Sequence, residues 1–326
     1  MLRRRLLSMT DARVGRTAQG SGFLTLLLLS ACTNTPRDPR SDDTPTYGHV
    51  SILADESFRS ILEDEEAVYE YFYKEATVDI HYMPEGELLK AMLNDSVRAV
   101  FGSFLPGGEQ EAFWRPKKLV PHIEAVATDG IAVIVSNSNP VDSIHVGDIL
   151  SALRSEVPTE VSSFYRLFFD RSGSGVARTI VDSLLDGDAS QLKAQVFAAE
   201  GIDDLVARVS RTPDAIGFLP FSAISDLDNA KCRALRDQVK ILAVGLDPDP
   251  SGLVSTSRCV LPSQSTLADK SYPLRRNINM IVTEGKSGLG TGFASFVAGP
   301  KGQKIILKRG LVPAHIPTRE VQMVYE

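Results

Sequence analysis

A chain of 326 residues, 43% of them hydrophobic, can bury enough core for more than one lobe. Its formal charge of −6, from 35 basic and 41 acidic side chains, argues against nucleic acid as a partner. Five His and three Cys, with no pair at ligand spacing, give no basis for a metal centre, and no cofactor is expected.

Arg3, Arg4 and Arg5, with Arg13 and Arg16, precede a short apolar run from Phe23 to Ala31. The run is too short to span a bilayer and has the form of a signal-peptide core. It ends Leu29-Ser30-Ala31-Cys32, which resembles a bacterial lipobox. That resemblance implies cleavage before Cys32 and lipid on its sulfur and new amino group. The basic leader is long, so Met9 is an alternative start to Met1. Thr33 to Tyr47, rich in Pro, Thr, Asp and Arg, reads as a disordered tether. No later run reaches spanning length, so the mature chain is expected outside the cytoplasm, in the cell envelope, held to the membrane by acyl chains. Removing residues 1–31 takes Lys+Arg from 35 to 30 and Asp+Glu from 41 to 40, so the net moves from −6 to −10. An anion site in such a body must work through local donors.

Val50 to Ala54 reads as a buried strand, and Ser57 as the N-cap of a helix that carries Ile61, Leu62, Val68 and Phe72 on one face. Val78 to Tyr82 is a second strand, Leu88 to Leu93 a short helical face, and Val97 to Phe101 a third strand. This βαβαβ order predicts a parallel sheet flanked by helices. Ala125 to Thr128 and Ile131 to Val135 are apolar segments around Asp129-Gly130, followed by a helix from Val146 to Leu153. Strands are predicted at Phe164–Phe169, Gln195–Ala198, Ala215–Leu219, Val239–Val244 and Ile278–Val282. Helices are predicted from the end of the Gly-rich turn to about Leu185, at Ile202–Val209, at Leu289–Val297 and at Gln303–Leu307, with Gly310 as a C-cap.

The densest signal is Asp170-Arg171-Ser172-Gly173-Ser174-Gly175-Val176, a small turn between a strand and a helix. Such a turn leaves the first N–H groups of the helix open to an anion, and the helix dipole favours one. The same residues also serve an ordinary turn with an N-cap. No Lys stands where a nucleotide-binding P-loop requires it. Cys232 and Cys259 lie in an oxidising compartment on this reading, which permits a disulfide without requiring one.

Several segments in order resemble the substrate-binding proteins of phosphate ABC transporters. They are Ala125 to Val135, Asn139-Pro140 with Val146 to Leu150, Phe169 to Gly175, Ala215 to Phe218, and Gly288 to Val297 with Gly302-Gln303 and Gly310-Leu311. The resemblance implies an α/β, two-lobed type II periplasmic-binding fold, each lobe a mainly parallel sheet flanked by helices. Lobe one would hold residues 48–127 plus 245–326, and lobe two 128–244. Two crossover strands would form the hinge, with the ligand in the cleft.

By the same resemblance Ser57, the Phe58 N–H and Ser103 would contribute from lobe one. Ser174, the N–H groups of Gly175 and Val176, and Arg178 would contribute from lobe two. Arg171, Ser172 and Gly173 are further candidates from the loop, and Asp129 is a candidate proton acceptor. The chain departs from the family's pattern at several points. Val176 replaces a Thr, Asp170 stands where many members have Arg, and Phe104 where many have an Asp that accepts the proton of phosphate. The loop Met83-Pro84-Glu85-Gly86 lacks the expected Ser and brings Glu85 close to the site.

Two functional classes follow. The first is a monomeric, lipid-anchored carrier of phosphate, or of another tetrahedral or carboxylate anion, serving an ABC permease and performing no catalysis. The second is a degenerate binding domain acting as a sensor or scaffold lipoprotein. A cleft filled by Phe104 and Glu85 would favour the second.

Overall fold

The computed structural model describes residues 43–93, 97–154, 166–192, 195–247 and 258–316. The expected signal peptide, Cys32 and most of the expected tether lie outside them. Strand β1 (Gly48–Asp55) leads through a 3-10 turn (Glu56–Phe58) into helix α1 (Arg59–Phe72). Strand β2 (Ala76–Met83), helix α2 (Glu85–Ala91), strand β3 (Ala99–Gly102) and helix α3 (Gly108–Trp114) follow. The 15-residue strand β4 (His122–Ser136) then runs straight through Asp129-Gly130, joining the two apolar segments into one element. After it come β5 (Ser143–His145), α4 (Val146–Arg154), β6 (Arg166–Phe169) and α5 (Gly175–Leu184). The chain continues with β7 (Gln195–Ala198), α6 (Ile202–Arg211), β8 (Ala215–Pro220), α7 (Ala230–Arg236), β9 (Val239–Ile241) and β10 (Ala243–Gly245). It closes with α8 (Gln264–Ala268), β11 (Arg275–Val282), α9 (Leu289–Ala298), α10 (Pro300–Lys308) and β12 (Val312–Pro313).

The main sheet has the order β2-β1-β3-β11-β4-β8-β6-β7. β1 pairs β2 and β3 in parallel, as the βαβαβ pattern requires. β6 lies parallel between β7 and β8. β4 is the shared spine. Residues up to Gly130 pair β11 antiparallel, and residues from Ile131 onward pair β8 and β9. The predicted strand Val239–Val244 divides because its ends serve different partners: β9 joins β4, while β10 joins β5. The Leu242 N–H between them bonds the Val133 carbonyl at 2.8 Å.

Apolar strands fill the interior. β3 and β8 are buried along their whole length, as strands covered on both faces must be. Tyr69 of α1 packs edge-on against Phe293 and Phe296 of α9, and Phe169 stacks on Phe218 at 5.0 Å between centroids. A second apolar cluster joins Leu53, Leu88, Met92, Phe104 and Trp114.

Residues 43–47, assigned by composition to the tether, are ordered against this core. Asp43 accepts the Leu289 N–H at 2.7 Å and pairs Lys286 at 2.8 Å, and the Tyr69 hydroxyl donates to the Pro45 carbonyl. No helix among the described residues is long and apolar enough to cross a membrane.

Candidate functional site

β1 and β6 both end at the carboxyl edge of the sheet, where open α/β sheets gather helix N-termini. β1 delivers Asp55 and Ser57. β6 delivers the turn Asp170–Ser174 and the first turn of α5. Ser174 is the N-cap of α5, and its Oγ accepts the Ala177 N–H at 3.2 Å. The same hydroxyl donates to Asp170 Oδ1 at 2.5 Å. Gly173 sits at φ +71, and its carbonyl accepts the Gly86 N–H at 3.0 Å.

The first helix is not capped by Ser57. α1 itself follows Phe58 with no side-chain cap, and Asp55 caps the 3-10 turn that leads into it, with Oδ1 accepting the Ser57 N–H at 2.8 Å. Its other oxygen, Oδ2, accepts the Gly175 N–H at 2.9 Å, from a residue 120 positions along the chain. Ser57 Oγ instead accepts from Arg276 at 3.0 Å.

Glu85, from the start of α2, is 1% exposed and points into the same space. Its Oε2 accepts the Ser103 N–H at 2.7 Å and the Ser103 hydroxyl at 2.5 Å, while Oε1 lies 3.5 Å from Arg178 Nε. The three groups converge on Gly175. A Cβ there would meet Asp55 Oδ2 at 2.8 Å, Glu85 Oε2 at 2.9 Å and Ser103 Oγ at 3.1 Å. A larger residue at this position would have to push the two carboxylates aside.

The electrostatics follow from burial. Glu85 is pushed above the usual carboxylate range by desolvation and by the charge of Asp55, against the pull of its bonds from Ser103. Asp170 is pushed up to about 6, first by desolvation and then by Asp55, against its bond from Ser174 and the charge of Arg276.

The expected site residues thus divide. Ser57, Ser103, Ser174 and Gly175 come together, but a charged group of the chain itself already bonds each of them. Phe58 is buried beneath the Arg276 guanidinium, 4.5 Å from its ring centre. Val176 is buried in the first turn of α5. Arg178 stands at the rim, shared between Glu85 and Asp182 at 3.4 Å. Arg171 turns away to Glu56 at 3.1 Å and the Glu200 carbonyl at 2.8 Å, and Ser172 is exposed.

Asp129 is committed to the spine strand. It accepts N–H bonds from Gly130 and Ser222 and faces Arg276 at 2.9 Å. Phe104 sits in the second apolar cluster, its ring over Gly102, while its carbonyl accepts from Asn279 at 3.0 Å. A cavity of about 330 Å³ adjoins the loop, lined by Ser57, Arg59, Asp170, Arg171, Ser174 and Lys231 among others.

Asp55 and Arg276 escaped the sequence reading. Asp55 is a second capping-type residue two places before Ser57, and helix starts read from sequence are uncertain by that much. Arg276 lies just ahead of the apolar run that marks β11. The only signal was a strand-period link, Arg276, Ile278, Met280, that puts the Arg on the same face as buried residues. Among the described residues no cluster of His, Cys, Asp or Glu is arranged to hold a metal ion.

Comparison with known proteins agrees with this architecture. No curated protein sequence matches the chain. A phosphate ABC transporter substrate-binding protein from Clostridium perfringens, solved with bound phosphate, aligns over 82% of this chain and 100% of its own, with a TM-score of 0.66 and 18% identity. An ABC-type phosphate transport receptor from Vibrio cholerae aligns over 82% and 100%, with a TM-score of 0.60 and 15% identity. At these identities the likeness is one of fold, and it is the type II periplasmic-binding fold expected from the sequence. The PBP superfamily domain model matches residues 40–301, most of the chain, and the protein belongs to that superfamily.

Proposed function

We propose that the chain is an extracytoplasmic binding protein, anchored by lipid at Cys32, that captures phosphate or a similar oxyanion for an ABC importer and performs no chemistry. Residues 48–127 with 245–326, and residues 128–244, would be the two lobes that close on the ligand. The observation that carries this reading is the Gly175 N–H. It grips a carboxylate oxygen at 2.9 Å, so the loop has the geometry of an oxyanion holder. The phosphate bound in the Clostridium perfringens relative supports the choice of ligand.

A second reading, a sensor or scaffold lipoprotein with a degenerate cleft, is favoured by Glu85, which fills space where an anion would sit.

Calorimetric titration of the purified chain with phosphate and then sulfate separates the two. Heat with phosphate that is lost in Ser174→Ala and Arg178→Ala supports the carrier. No heat and no thermal shift with either anion sinks it and leaves the sensor or scaffold.

A further inference from the structure

We infer that Asp55 is an internal oxyanion, a tethered carboxylate that occupies the loop's anion position and sets what the cleft accepts. The inference rests on the reading of the Ser174–Gly175 turn as an oxyanion site.

A helix cap needs one oxygen on one amide, and Asp55 Oδ1 on the Ser57 N–H meets that need. The second oxygen does more. It crosses the cleft to the Gly175 N–H, the first amide of α5. One carboxylate therefore bridges donors from the two sides of the cleft, as a captured anion would. Asp55 is 0% exposed, and its two oxygens accept the Ser57 and Gly175 N–H groups. Two amides and the dipole at the start of the ten-residue helix α5 meet its charge. The two sides are also joined by the backbone bond from the Gly86 N–H to the Gly173 carbonyl at 3.0 Å.

A free anion must displace this carboxylate. A group on a short tether competes at a high effective concentration, and apparent affinity falls by the fraction of loop left free. Displacement also leaves Asp55 charged beside the newcomer, with Glu85 and Asp170 close by. The cost rises with the charge of the incoming anion. Asp55 thus discriminates against multiply charged oxyanions at neutral pH and makes the site selective by exclusion.

Asp55→Ala and Asp55→Asn in the full chain, titrated with inorganic phosphate and separately with formate, test the inference. Formate is a free carboxylate small enough to replace the missing side chain. The expected result is phosphate binding tightened about tenfold or more in Asp55→Ala, for a loop that Asp55 fills nine-tenths of the time. Formate should raise the thermal midpoint of Asp55→Ala and leave the wild type unmoved.

Formate rescue of Asp55→Ala with no phosphate binding by any form would support the tethered carboxylate and sink the phosphate reading. Phosphate binding unchanged or weaker in the variants, with no effect of formate, would overturn the inference while the carrier reading survives. If Asp55→Ala does not fold, Asp55→Asn decides. It keeps a cap acceptor for Ser57 but loses the charge, so tighter phosphate binding supports the inference and unchanged binding overturns it.

Discussion

Arg276 and Asp129 stand directly opposite one another across the β11–β4 ladder and form an ion pair that is 1% and 0% exposed, Nη2 to Oδ2 at 2.9 Å. The pair sits where the spine strand passes from one set of partners to the other. Arg276 also donates to Ser57, so it ties that crossing point to the mouth of the cleft. Removing one partner of a buried pair strands the other's charge. Arg276→Met is expected to cost about 3–5 kcal/mol in urea unfolding. Asp129 keeps its bonds from Gly130 and Ser222, which places the cost toward the lower end. A cost under about 1 kcal/mol would mean that the pair does not hold this crossing.

Asp170 makes the fold sensitive to mild acid in an unusual direction. Its carboxyl, raised from 3.8 to about 6, is favoured in the protonated form by the folded chain. The unfolded chain gives up this proton first as pH rises. Its contribution is therefore full below about pH 4, drains through about pH 6, and is absent above that. The gap corresponds to something on the order of 3 kcal/mol. Asp170→Asn keeps an acceptor for the Ser174 hydroxyl. Relative to wild type it should gain stability at about pH 7.5 and show little gain at about pH 4, read from urea midpoints. An equal offset at both pH values would contradict this account.

Glu65 on α1 is fully buried, and neither of its oxygens has a hydrogen-bond partner among the described residues. Burial, with a smaller push from Asp64, raises its carboxyl to about 9. The sign is that of Asp170, over a wider window. Stability is full below about pH 4.5 and drains progressively up to about pH 9. Glu65→Gln should raise the thermal midpoint at about pH 8 and leave it nearly unchanged at about pH 4.5. A midpoint lowered at both pH values would mean that the amide is not tolerated and that the acid has a partner in solution.

Cys232 and Cys259 stand as separate thiols in the fold. Cys232 is buried, and burial pushes its thiol up. Cys259 is partly exposed, with Sγ 3.6 Å from His145 Nε2. Alkylation of the native chain should mark Cys259 well before Cys232, because the reactive form is the accessible thiolate. Peptide mapping after timed quenching reads the order, and equal rates would contradict the burial of Cys232.

The strand-and-helix frame was legible because its signals are local. β7 falls on Gln195–Ala198 as expected, and α5 begins where the Ser-Gly-Ser-Gly turn ends. Helices α3 and α7, of seven residues each, and α8, of five, went unread because so few turns carry no clear period. The candidate site was half legible. Its serines announced themselves by turn chemistry. The groups that occupy those serines did not, because Arg276 meets Ser57 across 219 positions and Asp55 meets Gly175 across 120. Glu85 stood out in the sequence as an acid near the site. That it turns inward follows from the Ser103 hydroxyl and amide awaiting it 18 residues on, a contact that only the folded chain supplies.

The bond from the Gly86 N–H to the Gly173 carbonyl is made of main chain on both sides. Mutational drift in the surrounding side chains can change the charge and shape of this region without deleting the clasp. Of the twenty residues, only proline at position 86 removes the donor outright. The hold between the start of α2 and the turn before α5 can therefore outlast wide change in the side chains around it.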